Sequence, residues 1–298
     1  MTPDHLRLFL AIARHRSLSR AAAELDLGQA TVSERLKALE TEIGAELFER
    51  QGRGVALTPA GLAFQPYAER ALDVLREAQD AARAANTGQA GQVTIATTVT
   101  AGAYLLAPAL VAFRRQHPQV EVRVRSVHSW DAPGLVLDGV AHLALISGPN
   151  LNPQIESVAS FTGALVLAAS ANHPRARAEW TLSELAREQL LVSYWGPASQ
   201  NFLERLRAEP QAGAWLELSP VELVKGMLLA GMGVSLLPEV AVRRELASGE
   251  LVALKLAAPA PRLPAWEITL LRHKRRAPNP TVEALAQTLM RELPELTK

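Results

Sequence analysis

The chain has 298 residues, 48 % of them apolar and 20 % charged, with a formal net charge of +1; this is room for two or three domains and a substantial core. It contains no cysteine, which excludes disulfides, thiolate metal sites, thiol redox sensing and cysteine nucleophiles. Met1 to Ala13 is amphipathic and carries Asp4, His5 and Arg7, so it does not read as a signal peptide, and no apolar run reaches the ~18 residues of a membrane helix. The expectation is a cytoplasmic protein with no membrane partner.

In chain order, Thr2-Pro3-Asp4 predicts a helix start, with a capping hydroxyl, proline at the first helical position and an early acid. Leu6, Phe9 with Leu10, and Ala13 continue it as one apolar face. The stretch Ser17 to Arg50 then holds a short alanine-rich helix, a tight turn at Asp26-Leu27-Gly28 and a second helix ending near Glu40. Two helices joined by such a turn outline a DNA-reading helix-turn-helix. In the second helix Val32, Leu36 and Leu39 form one apolar stripe, leaving Ala30, Glu34, Lys37 and Thr41 on the opposite face, flanked by Thr31 and Ser33. Ala21, Ala22 and Ala23 suit a close crossing of the two helices. A compact helical hairpin without DNA is the other reading of the pattern alone.

Leu47 to Arg50 and Val55 to Leu57 read as two short strands around the turn Gln51-Gly52-Arg53-Gly54. Such a hairpin beside a recognition helix is a wing, with Arg53 either touching DNA or simply solvated at the tip. Charge does not assist the DNA reading. Residues 1–60 hold eight Lys or Arg and eight Asp or Glu, so phosphate affinity must come from local arrangement, with Glu40, Glu42, Glu46 and Glu49 turned away.

The run from Phe9 through S-x-S-R-A-A (Ser17 to Ala22), Gln29, Val32-Ser33, L-x-x-L-E (Leu36 to Glu40), Gly44, L-F-x-R (Leu47 to Arg50) and L-T-P-A-G (Leu57 to Gly61) closely resembles the N-terminal domain of LysR-type transcriptional regulators. Gly28 stands where that family commonly has a capping Ser, and Ala30 where it commonly has Pro; glycine is still an acceptable cap. The expected DNA contacts are Gln29, Thr31, Ser33, Glu34, Arg35 and Lys37 in the groove, with Arg50 and Arg53 positioning the wing. Gln suits adenine, Arg suits guanine, and Glu34 can accept from a cytosine amino group or repel phosphate.

Thr58-Pro59 predicts another helix, Ala60 to about Ala85, with Phe64, Ala68, Leu72, Leu75, Ala78, Ala82 and Ala85 near heptad spacing. A lone helix cannot bury that stripe, so it pairs either with a second copy or with its own C-terminal domain; the resemblance implies an antiparallel linker-helix dimer, and by family habit a homotetramer. Asn86 to Gly91 is small and polar, a flexible boundary.

From Gln92 strands and helices alternate, which predicts a parallel sheet flanked by helices. The expected strands are 93–97, 120–127, 142–146, 164–169, 190–193, 234–237 and 265–271. Ser219-Pro220-Val221-Glu222 reads as a capping box opening a helix to Ala230. L-L-A-P-A-L (Leu105 to Leu110), F-x-x-x-H-P (Phe113 to Pro118) and G-M-G-V-S-L-L-P (Gly231 to Pro238) resemble the effector domain of the same family, a periplasmic-binding-protein-like pair of α/β subdomains; His142 departs from the family's usual Asp. The fold class expected is therefore α+β multidomain. A winged helix-turn-helix occupies 1–58 and a linker helix with hinge 59–91. An effector domain takes 92–298, split into 92–163 plus 267–298 and 164–266.

Ligands of α/β sheets bind at the carboxyl ends of strands. Thr98 and Thr100 follow the first strand at a helix start, where an anion is favoured, although Thr100 serves equally well as a plain cap. Ser129 and Ser147 end neighbouring strands, and Trp195 is either an apolar wall or simply a core or surface residue. The effector so implied is a small molecule, an anion being one option. The seven histidines never fall at metal spacing, there is no G-x-S-x-G and no P-loop, and Gly231-x-Gly233 reads as a helix stop. No catalytic residue, metal ligand or cofactor is expected. Together these readings give a regulator that binds double-stranded promoter DNA at paired half-sites and engages the transcription machinery. The alternatives are a solute-binding or enzymatic α/β protein with a secondary DNA head, and a regulator with no ligand.

Overall fold

The computed structural model describes residues 1–51, 54–87, 91–259, 261–276 and 279–297, and between 76 and 87 the side chains of 78 and 79 only. The chain forms two compact units, Met1–Ala90 with Asp138–Val140, and Gly91–Leu137 with Ala141–Lys298.

In the first unit α1 (Pro3–His15) begins as its sequence dictates, Thr2 Oγ1 accepting the His5 amide at 3.3 Å with proline at the first helical position. Helix α2 (Leu18–Glu24) is capped by Ser17, whose hydroxyl accepts from the Arg20 amide. The turn passes through Asp26 at positive φ into α3 (Gln29–Ile43), which starts on Gly28 without a side-chain cap. Helix α3 runs three residues past Glu40, because the stop is Gly44 in the left-handed region, its N–H bonding back to the Glu40 carbonyl at 2.8 Å. Val32, Leu36 and Leu39 are buried as expected. Val32 and Leu36 lie against Leu8, Ile12, Ala21 and Ala22. Ala23 faces solvent instead of the helix crossing.

Strands β1 (Phe48–Gln51) and β2 (Gly54–Leu57) pair antiparallel, Arg50 opposite Val55; Gly52 and Arg53 lie outside the described residues. Leu47 is not part of β1 but is fully buried. Thr58 caps α4 (Pro59–Thr87), its hydroxyl accepting from the Gly61 amide at 3.0 Å. The heptad stripe divides. Ala68 and Leu72 are buried within the head itself with Phe64 packed beside them, against Leu6, Phe9, Leu39 and Leu47. They are therefore not free for a second copy, whereas Leu62, Tyr67, Val74 and Leu75 are exposed.

In the second unit β3 (Gln92–Thr97) leads into a helical stretch, α5 (Val99–Ala101), a π-helical turn Gly102–Leu106, and α6 (Ala107–Gln116). β4 (Glu121–Ser126), α7 (Ala132–Leu137) and β5 (Leu143–Ser147) follow. β6 is a single 16-residue strand, Ile155–Ser170. Beyond it come β7 (Glu179–Trp180), α8 (Leu182–Ala186), β8 (Leu190–Val192), α9 (Pro197–Arg207) and β9 (Trp215–Glu217). The chain continues through α10 (Val221–Leu229), β10 (Val234–Pro238), α11 (Glu239–Ser248), β11 (Leu251–Ala253) and β12 (Lys255–Leu256). It closes with β13 (Ala265–His273) and α12 (Pro280–Leu296).

The main sheet runs β4-β3-β5-β13-β6-β10-β8-β9, with β11 on β6. It is mixed, not parallel throughout. β3, β4 and β5 are mutually parallel, as are β8, β9 and β10, but β13 is antiparallel to β5 and β6, and β10 and β11 are antiparallel to β6. β13 thus runs against the β3–β4–β5 set and β6 against the β8–β9–β10 set. β6 changes partner along its length, facing β13 from Ile155 to Ala164 and β10 from Leu165 onward. The box expected at Ser219 to Glu222 does not form. α10 is capped by Pro220 with no side-chain bond, and Glu222 instead accepts from the Tyr104 hydroxyl. A capping box does form at Thr181 with Glu184.

Candidate DNA-reading surface and ligand cleft

On α3, Gln29, Ser33, Glu34, Arg35 and Lys37 are exposed, and Thr31 is half-buried. Opposite the Val32–Leu36–Leu39 stripe the helix thus presents a polar face long enough for major-groove contact. Gln29 is not a free rotor, since its Oε1 accepts from the Ser19 hydroxyl at 2.9 Å, tying the start of α3 to α2. Arg50 is exposed on β1. The carboxylates sort themselves. Glu40 Oε1 accepts the Leu47 and Phe48 amides at 2.7 and 3.2 Å, spending its charge on the chain turn before β1. Glu42 pairs with the Met1 amino group. Glu49 alternates with Arg50 along the strand and so points to the other side of the hairpin. Sequence reasoning missed both Ser19 and the bonding of Glu40.

In the second unit a cleft of about 820 Å³ opens at the carboxyl ends of β3, β4, β5, β8 and β9, as strand-end geometry requires. All five residues expected of a pocket, Thr98, Thr100, Ser129, Ser147 and Trp195, line it. The helix cap is Thr98, whose Oγ1 accepts the Ala101 amide at 3.3 Å; Thr100 is not the cap. Ser129 Oγ accepts the Ser147 amide at 3.0 Å, joining the loop after β4 to the end of β5. Ser147 Oγ accepts from the Trp266 indole at 2.9 Å, so each of these hydroxyls keeps its proton to donate.

Trp195 is 5 % exposed. Its indole donates to the Leu236 carbonyl at 2.7 Å, and its ring meets Trp266 edge-on at 6.2 Å. It is mainly a core residue whose surface closes the cleft floor. Next to Ser147 and Trp195 in the chain, Gly148 and Gly196, both at positive φ, face each other; a Cβ on Gly196 would lie 3.7 Å from the Gly148 Cα. Glycine at these positions provides the positive-φ backbone.

Among the lining residues not anticipated are His128, Trp130, Asp131, Tyr194 and Glu217. The His128 and Trp130 rings stack at 4.5 Å, 8° apart, with Trp130 68 % exposed. The signal was available, since His128 to Asp131 and Tyr194 follow the carboxyl ends of β4 and β8. Glu217 could be found only once β9 was recognised as a strand.

A helix-turn-helix with a wing, joined to an α/β unit holding a cleft at its strand ends, defines a DNA-binding regulator with a ligand domain. The comparisons agree. Residues 3–62 match the family described as "Bacterial regulatory helix-turn-helix protein, lysR family" and residues 86–294 match "LysR substrate binding domain". The chain belongs to the LysR family of transcriptional regulators.

Among its relatives it is similar to the HTH-type transcriptional regulator CfxR of Cupriavidus necator, 31 % identical over 284 residues, covering 93 % of this chain and 88 % of that one. It is similar also to the RuBisCO operon transcriptional regulator of Allochromatium vinosum, 30 % identical over 277 residues, covering 92 % and 91 %. Full-length CbnR, solved in complex with its target DNA, shares the fold at a TM-score of 0.74 and 22 % identity, covering 98 % of this chain and 100 % of that one. Among the described residues no helix is long and apolar enough to cross a membrane, and no cluster of potential metal ligands occurs.

Proposed function

We propose that the chain is a cytoplasmic regulator that assembles as a dimer, reads paired promoter half-sites with α3, acts on the transcription machinery and answers to a small molecule in the cleft. Gln29, Thr31, Ser33, Glu34, Arg35 and Lys37 carry the groove contacts, and Arg50 carries a backbone contact from the hairpin. Arg53 joins them by sequence position alone. The observation that carries this reading is the polar, solvent-facing side of α3, left accessible while Glu40 is drawn into the turn.

Exposed Leu62, Tyr67, Val74 and Leu75 on α4 support self-association through that helix. A dimer spaces half-sites by whole helical turns, and two dimers give a tetramer. The domains are 1–58, 59–91 and 92–298, with subdomains 92–163 plus 267–298 and 164–266. The change of partner along β6 between Ala164 and Leu165 supports that division. Thr98, Thr100, Ser129, Ser147 and Trp195 contact the effector, which shifts the assembly by binding its two states unequally.

Binding titrations on one target site and its point variants test the DNA half. Lys37→Ala should weaken binding across all sequences and lower the salt slope by about 1, whereas Gln29→Ala should lose discrimination at one base pair, about 1–3 kcal/mol. Unchanged affinity and specificity in both proteins would remove α3 from the account.

A further inference from the structure

The cleft carries an electrostatic signature that the helix start at Thr98 does not suggest. Among its described lining residues there is no Lys or Arg, while two carboxylates, Asp131 and Glu217, face it from opposite sides, one in the loop after β4 and one at the end of β9. Both are exposed, and neither forms an ion pair or side-chain hydrogen bond among the described residues. Beside them stand aromatic rings: the stacked His128–Trp130 pair and Tyr194, 46 % exposed.

An anion entering here would meet two uncompensated negative charges and only hydroxyl and amide donors to offset them. A cation would meet carboxylates and the negative faces of aromatic rings, the arrangement that binds ammonium groups. Trp130, 68 % exposed, offers ring surface on which an apolar or aromatic body can stack.

We propose that the effector is a small organic cation, an ammonium group on an apolar or aromatic body. The ammonium lies between Asp131 and Glu217, and the body stacks on Trp130 and Tyr194. The proposal rests on the reading of the cleft as the effector pocket. It replaces the anion suggested by the helix start alone.

Calorimetric titration of the full-length protein with a charge-matched set tests it: 2-phenylethylamine and benzyltrimethylammonium as cations, phenylacetate as anion and 2-phenylethanol as neutral analogue, with footprints on target DNA recorded in parallel. The cations should bind at least tenfold more tightly than phenylacetate. Glu217→Gln and Asp131→Asn, both conservative and at exposed positions, should each weaken cation binding about tenfold, close to 1.4 kcal/mol, and Trp130→Leu should weaken it as well.

Tighter binding of phenylacetate or of the neutral analogue, or cation affinity indifferent to both carboxylate variants, overturns the proposal. If the anion or the alcohol binds and alters the footprint, the effector pocket stands while its cationic specificity falls. Cation binding without any change of footprint keeps the cation site but overturns its identification as the effector pocket. If no probe of any charge binds, both fall.

Discussion

His142 directly precedes β5, 7 % exposed, with its Nδ1 accepting the Thr94 amide at 2.9 Å. Only a neutral imidazole can accept there, and burial, reinforced by the nearby Arg276 charge, pushes its pKa down to about 4. Between pH 6.5 and 4 the unfolded chain binds a proton that the folded chain refuses, so stability must rise with pH across that window. The loss on acidification is about 3 kcal/mol. All five tryptophans lie between Trp130 and Trp266, so their fluorescence in urea reports this unit. His142→Asn, which keeps an acceptor without titrating, should flatten the slope between pH 6.5 and 4; an equally steep slope in the variant would place the titration elsewhere.

Lys225 is a largely buried charge with a definite partner. Burial opposes its ionisation, but the bond to Glu245 at 2.9 Å and the Tyr104 hydroxyl at 3.1 Å outweigh it and hold its pKa above normal. Burial likewise works against the Glu245 carboxylate, yet Lys225 brings its pKa below the usual range. Lys225→Met would strand that carboxylate, whose Oε2 already lacks a hydrogen bond, at a cost of about 3–5 kcal/mol. The double variant Lys225→Met/Glu245→Leu should recover most of the loss in the same urea assay. A double variant as unstable as the single one would mean that the pair acts through packing instead of charge.

At the scale of elements, α4 separates two roles that a heptad pattern merges. Leu72 is 4 % exposed inside the head, while Leu75, three residues on, is 42 % exposed. Leu72→Ala should therefore lower the stability of the head by about 2–5 kcal/mol. Leu75→Ser should spare it and weaken self-association, as sedimentation would read. Equal effects on stability would contradict the division.

Helices with a complete local code, such as α1 with its Thr2 cap or α3 with its stripe, were legible from the sequence. What failed had non-local causes. Glu222 looked like half of a capping box, but the Tyr104 hydroxyl claims it from across the fold. The first half of β6 was invisible because Ser157, Ser160, Thr162 and Gly163 break its apolar pattern, and α11 because Pro238 ends a strand and caps the helix with no intervening turn. The sheet was expected to be parallel because alternation does not reveal the direction of β6 and β13, each of which runs against the parallel set beside it.

On the scale of the whole molecule, the first sixty residues were the most readable part, since their motif is dense and its logic local. The cleft was readable in outline. Thr98, Ser129 and Trp195 mark strand ends visible in the sequence, whereas the charge of the cleft depends on Glu217, at the end of a three-residue strand that no periodicity could disclose. The two units divide the work between reading DNA and holding a ligand.

The most direct measurement is a footprint of the purified protein on the DNA upstream of its own gene, with excess random DNA competing. The account predicts protection of at least two half-sites whose centres lie about 10 base pairs, or a multiple of that, apart, and which persists against the competitor. Absence of retained binding at every salt concentration would contradict it and shift the function to the cleft of residues 91–298 alone.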